Sequence, residues 1–389
     1  MRPLTLTLLV GCAVPFEDEA ALGEALFHDT SLSLNRTQSC ATCHNPDHAY
    51  VDDRTAEDGR VTPTSLGDDG VSFGTRNAPT AAYAQFTPAF GFGTRSRHNK
   101  QNNNRLYEGY LGGLFHDGRV TDLAGQAAGP PLNAVEMGMP DPTMVVERIL
   151  ENDDYVTAFP RFFGRRVFDD DDTAYAAMTE SIAAYESTPE FAPFDSRYDR
   201  SLRGDVQLTF LELTGKAVFF SEFANCAICH QLHGEGDPIN ETRETFSGYE
   251  FHNIGVPSNE EVRALTGITD IDPGLGGNPA VVDPGELGKF KTFTLRNVAI
   301  TGPYMHNGVF RDLRTVVEFY DHYVNDERPL NPETGEPWRE PEVPETVATD
   351  LLRVGRPLTD LEVDGLVCFM RALTDRRYIP LLDDDSACD

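Results

Sequence analysis

Two copies of one five-residue phrase carry the most specific chemistry in this sequence: Cys40-Ala41-Thr42-Cys43-His44 and Cys226-Ala227-Ile228-Cys229-His230. On a helix, positions i, i+3 and i+4 share a face. Two thiols so placed can add to the vinyl groups of one porphyrin while the adjoining imidazole reaches its iron, the arrangement of covalent c-type haem. A zinc centre or a redox dithiol would draw on the same residue types. Repetition of the phrase with similar flanks weighs against both, and zinc would also require the two distant pairs to converge into one four-ligand set.

The repetition extends beyond the cysteines. "LFHDGRVTDL" (Leu114 to Leu123) and "YMHNGVFRDL" (Tyr304 to Leu313) share a frame around His116 and His306. Arg76-Asn77 echoes Arg296-Asn297, and Gly23-x-Ala25-x-Phe27 aligns with Gly215-x-Ala217-x-Phe219 ahead of each cysteine phrase. A chain of 389 residues exceeds the usual single-domain size. The expectation is a mainly α fold of two cytochrome c-like haem domains related by internal duplication, residues 20–205 and 206–389, with long loops.

Periodicity supports helices. From Thr359 to Thr374 a capping box of Thr359 with Glu362 precedes Val363, Leu366, Met370 and Leu373 on one face. Similar patterns run from Met144 to Leu150 and from Ala174 to Tyr185. The polar, Gly-rich stretches Asp52 to Phe73 and Gly91 to Arg105 read as loops, and loops of that length are more often functional than idle.

A net charge of −31 with only four lysines (Lys100, Lys216, Lys289, Lys291) disfavours nucleic acid and anionic lipid and would steer basic partners. No apolar run approaches membrane-span length. "MRPLTLTLLVGC" resembles a lipoprotein-type export signal, with residues 1–11 removed and Cys12 left for lipid attachment, which implies a periplasmic or cell-envelope location. Cys368 and Cys388 either pair in an oxidising compartment or stay apart; for Cys368, mid-helix, a buried free thiol is the commoner outcome.

With "RNAPT", "FHDGR", "QAAGPPLNAVEMG", "LRNVAITGPYMHNG" and "VVEFY" added to the paired cysteine phrases, the chain resembles the bacterial di-haem cytochrome c peroxidases, in particular their MauG-like branch. The resemblance implies a peroxide-reacting haem on Cys40, Cys43 and His44, and an electron-transfer haem on Cys226, Cys229 and His230. It places Tyr320 as second ligand to the latter iron, where typical peroxidases have Met. A phenolate donor would favour higher oxidation states. Counting forward equally from His116 reaches Pro130, which has no side-chain donor. Gln126 and Glu136 map to the open iron, the first to orient hydrogen peroxide and the second to move a proton from its near oxygen to its departing one. Calcium between the domains would use Asn77 and the carbonyls of Thr301 and Pro303.

Several positions depart from the family pattern. No His occurs from Val51 to Thr75, where typical peroxidases carry the loop His that caps the resting haem; His48 nearby is read as incidental. His116 replaces a common Trp between the haems, to bridge them by hydrogen bonds or simply to hold a turn. Trp338 is the sole Trp, and Ala224 stands where MauG has a surface Trp, so hole hopping through tryptophan is not expected. His252 and His306 are assigned to haem packing or structural hydrogen bonds. The electron source is either a small redox protein or the side chains of a partner protein. An alternative of another class is a non-catalytic di-haem electron carrier.

Overall fold

The computed structural model describes residues 15–97, 105–231, 243–383 and 388; the leader and Cys12 lie outside them. In the amino-terminal half come α1 (Glu19–His28), α2 (Cys40–Cys43), β1 (Gly91–Arg97), β2 (Arg105–Leu111), α3 (Leu123–Ala127), α4 (Pro142–Leu150), α5 (Asp153–Phe163) and α6 (Asp171–Glu186). The remainder holds α7 (Arg197–Leu202), α8 (Phe210–Phe219), β3 (Phe251–His252), α9 (Glu260–Thr266), β4 (Phe290–Lys291), α10 (Leu313–Asp321), α11 (Thr349–Leu352) and α12 (Asp360–Arg371). The fold is thus mainly helical, with two small two-stranded sheets. No described helix is long and apolar enough to cross a membrane.

The expected helices form where periodicity placed them. Thr359 caps α12 by accepting from the Glu362 N–H, and Val363, Leu366 and Met370 are buried along it. Buried apolar residues fall into two main clusters. One joins Leu22, Leu26 and Phe27 of α1 to Met178, Ile182 and Tyr185 of α6. The other joins Val218 and Phe219 of α8 to Val363, Leu366 and Phe369 of α12.

The repeated Gly-x-Ala-x-Phe phrase does the same work in both clusters. A Cβ on Gly23 would sit 1.8 Å from the Ser181 carbonyl oxygen of α6, and one on Gly215 would sit 1.7 Å from that of Gly365 in α12. Each glycine lets two helix backbones touch, which fixes where the helix leading to each cysteine phrase lies. Arg296 pins the clusters together. Its guanidinium is fully buried against Asp199 at 2.6 Å and lies over Tyr83 and Phe194 of one cluster and Tyr198 and Phe246 of the other.

One expectation is corrected and one open alternative is resolved. Gly91 to Arg105 does not read out as a loop, because β1 and β2 pair antiparallel from Gly91↔Leu111 to Arg97↔Arg105. Gly91, Gly93 and Gly109 erase the alternation by which a strand announces itself, while the backbone ladder is indifferent to side chains. Of the two alternatives left for Cys368 and Cys388, pairing is the one found: they are joined by a disulfide, tying residue 388 to α12. By contrast, the stretch from Asp52 to Phe73 is a long connection held by the isolated bridges Thr55↔Val61 and Leu66↔Phe73.

Candidate active site

Both cysteine phrases turn the same way. The His44 N–H donates to the Cys40 carbonyl at 2.9 Å and the His230 N–H to that of Cys226 at 3.1 Å, although the second phrase is a single 3-10 turn (Cys226–Ile228) rather than α-helix. Each imidazole is then anchored through Nδ1, His44 to the Tyr50 carbonyl at 3.1 Å and His230 to the Phe246 carbonyl at 3.2 Å. Tyr50 and Phe246 both occupy the left-handed region (φ 56° and 54°), which turns their carbonyls back onto the rings. A carbonyl only accepts, so Nδ1 carries the proton and each Nε2 keeps the lone pair an iron needs.

The four cysteines of the phrases form no disulfide. Burial pushes the Cys40, Cys43 and Cys226 thiols up to about 12, so none is poised as the thiolate of a redox dithiol. The two pairs do not converge, and the described residues hold no cluster of three His, Cys, Asp or Glu suited to a metal ion. Neutral buried thiols beside an anchored imidazole and an apolar cavity fit covalent haem and fit zinc poorly.

The first cavity, about 610 Å³, is lined by Cys43 and His44 together with Phe115, Gln126, Pro130 and Glu136. α3 carries Gln126. Glu136 accepts from Asn133 Nδ2 at 2.6 Å, and burial raises its carboxyl while Asn133 and Arg119 oppose the rise. The Arg119 guanidinium lies 3.6 Å from the Phe115 ring centroid. The second cavity, about 340 Å³, is lined by Cys226, Cys229 and His230, with Tyr320 reaching it from α10. Burial drives the Tyr320 phenol well above its ordinary range, and its hydroxyl makes no hydrogen bond among the described residues. Pro130 and Tyr320, equivalent by count, thus line different cavities.

A common wall separates the two. Asn77, His116, Lys291, Phe293 and His306 line both cavities. His116 Nε2 donates to the Asn77 carbonyl at 2.8 Å, and the Asn77 N–H donates to the His306 carbonyl at 2.7 Å, so the duplicated phrases meet on this asparagine. The His116 ring stands edge-on to Phe293 at 4.9 Å. His306 stacks on Phe290 at 3.6 Å, and its buried Nε2 has no hydrogen-bond partner among the described residues, which leaves haem packing as the expected role that fits it. His252 does bond, to Glu250 at 3.0 Å. His48 is occupied with the Ile300 carbonyl at 2.9 Å. Asn77, Thr301 and Pro303 all line the second cavity; Asn77 spends its amide N–H on Pro63, leaving its Oδ1 open.

The family described as di-haem cytochrome c peroxidase matches residues 17–207. The methylamine utilization protein MauG of Paracoccus denitrificans is 47% identical over 96% of this chain and 93% of its own. The chain belongs to the di-haem cytochrome c peroxidase family. It is a MauG-like enzyme of that family, whose members carry two haems. The cytochrome c551 peroxidase of Pseudomonas aeruginosa is 30% identical over 77% of this chain and 71% of its own. Among solved structures, the diheme peroxidase BthA of Burkholderia thailandensis superposes with a TM-score of 0.79 at 29% identity, covering 95% of this chain and 89% of that one.

Two residues of this family member escaped the sequence reading. Lys291 is buried in the shared wall, its ammonium on the Gly113 carbonyl and 4.7 Å from the Phe293 ring centroid; burial lowers its pKa to about 7. Glu186, last residue of α6, lines the first cavity. Its signal was legible: it continues the i, i+4 stripe of Met178 and Ile182, which places a carboxylate on an apolar face. Lys291 had no such signal, since it sits in a two-residue strand too short to show a pattern.

Proposed function

We propose that this protein reacts with hydrogen peroxide at a haem held by Cys40, Cys43 and His44, and draws electrons through a second haem held by Cys226, Cys229, His230 and Tyr320. The supporting observation is the asymmetry of the cavities: Tyr320, whose hydroxyl makes no hydrogen bond among the described residues, lines one, while Pro130, Gln126 and Glu136 line the other. Haem supplies the redox chemistry and an iron site for peroxide. Gln126 orients the peroxide, and Glu136 takes a proton from its inner oxygen and delivers it to the outer one, for which a carboxyl with a raised pKa, fixed by Asn133, is suited. His116, tied to Asn77 in the shared wall, holds the path between the haems. Residues 20–205 and 206–389 then form two haem units, exported to the periplasm or cell envelope by the leader, with Cys12 as a lipid anchor. Calcium fits beside the second cavity: the carbonyls of Thr301 and Pro303 accept no hydrogen bond among the described residues, and with Asn77 Oδ1 they offer the oxygen donors a hard cation takes.

The electron source is the side chains of a partner protein, a reading favoured by the likeness to MauG and by Tyr320; the replacement of Trp by His116 and Ala224 favours a small cytochrome donor instead. Mixing the ferric protein with peroxide tests the shared step. A rapid Soret change is expected, and a protein that leaves the spectrum unmoved is an electron carrier. Catalytic oxidation of added reduced cytochrome c would then select the cytochrome donor.

A further inference from the structure

Glu186 is buried and lines the cavity with Cys43, His44, Gln126 and Glu136, and its shielded Oε2 has no hydrogen-bond partner among the described residues. The mechanism above leaves it unused. An ionised carboxylate in such a place lacks both water and a counter-charge. The elements packed on α6 bring Glu24 and His28 from α1, Glu147 and Arg148 from α4, Tyr155 from α5 and Asp169 from the 3-10 turn after it; α3 brings no titratable group. Tyr175 and Tyr185 lie on α6 itself, Cys40 lies on α2, and Glu136 and Arg119 line the same cavity. Glu186 is coupled to Cys40, a thioether once haem is attached, and burial alone perturbs it, raising its carboxyl to about 8. Glu136 differs in having Asn133 as a fixed partner.

We propose that Glu186 is the redox-linked proton group of the first haem site: a neutral acid while the iron is ferrous, which releases its proton as the iron loses an electron. In the balanced step, one electron leaves the ferrous iron for an electrode mediator, and one proton leaves Glu186 through the cavity to solvent. The positive charge gained at the metal is offset by the negative charge left on the carboxylate. The site then stays near neutral in a medium where an isolated charge is costly. Sign follows directly: oxidation is easier where the proton is easily lost, so the potential falls as pH rises.

The inference rests on haem occupying the first cavity, which covalent haem absorbance checks separately. Spectroelectrochemical titration of the holoprotein at several pH values should show the first haem's midpoint falling with pH, at a slope approaching about 59 mV per unit, the one-electron equivalent of a tenfold change in proton activity. Glu186→Gln should flatten that slope while Glu136→Gln retains it, and the second haem should be unaffected by either. On wild type alone, difference infrared spectroscopy should show a protonated carboxyl band lost on oxidation. An unchanged slope in Glu186→Gln, or no carboxyl band lost in wild type, overturns the proposal. Absence of covalent haem would instead overturn the haem assignment.

Discussion

Pro130 and Tyr320 occupy equivalent places after the two repeated His phrases, and one offers no donor while the other offers a phenol. On the proposed reading this single exchange separates a metal that binds peroxide from one that passes electrons. Glu136 is the residue on which peroxide cleavage then depends, because a carboxyl can both accept and return a proton, whereas an amide of the same shape cannot. Glu136→Gln should slow the peroxide reaction by roughly 10²- to 10⁴-fold, the range for loss of a positioned acid–base group. Stopped-flow spectroscopy reads this rate, and the resting spectrum serves as the folding control. A rate within a few-fold of wild type would remove Glu136 from the reaction. Glu186 is the contrasting carboxyl, unpartnered and so responsive to charge at the metal, while Asn133 restrains Glu136.

At the scale of elements, Gly23 and Gly215 show why the repeated phrase stands ahead of each cysteine pair. Each allows α1 on α6, or α8 on α12, to touch backbone to backbone, and helix contact sets the position of the cysteine phrase that follows. Gly215→Ala would drive a methyl group into the Gly365 carbonyl, and neither helix backbone can yield as a side chain would. The variant should lose about 1–3 kcal/mol or more, seen as a lowered Tm by calorimetry, while Gly91→Ala, where a Cβ meets nothing within 4 Å, should not. Equal Tm values for the two variants would contradict the packing account. Much of this level was legible beforehand: α4 and α12 carry clear apolar periodicity, α6 a weaker one because it is buried on most sides, and the phrase repeats pointed to paired helices. The β1–β2 hairpin was not, since its glycines leave a strand without side chains to alternate. Nor was the Cys368–Cys388 bond, because a helical spacing carries no information about where a distant chain end returns.

For the whole molecule, the essential feature is a wall with a cavity on each side. His116 is far in sequence from Lys291, Phe293 and His306, yet all four are shared by both cavities, so no local pattern could have disclosed the wall; only the repeat of the His phrases hinted that two equivalent segments would meet. Arg296 and Asp199, fully buried where the two clusters meet, tie the clusters together, and on the proposed reading this pair sets the spacing of the two haems. The surface, at −31, presents the acidic field that a basic electron donor or protein substrate would follow. Low-temperature electron paramagnetic resonance of the ferric holoprotein as isolated tests the central claim, that the two irons differ in coordination. One high-spin signal from the His44 site and one low-spin signal from the His230/Tyr320 site are expected. Two low-spin signals, showing both irons closed by protein ligands, would contradict the account.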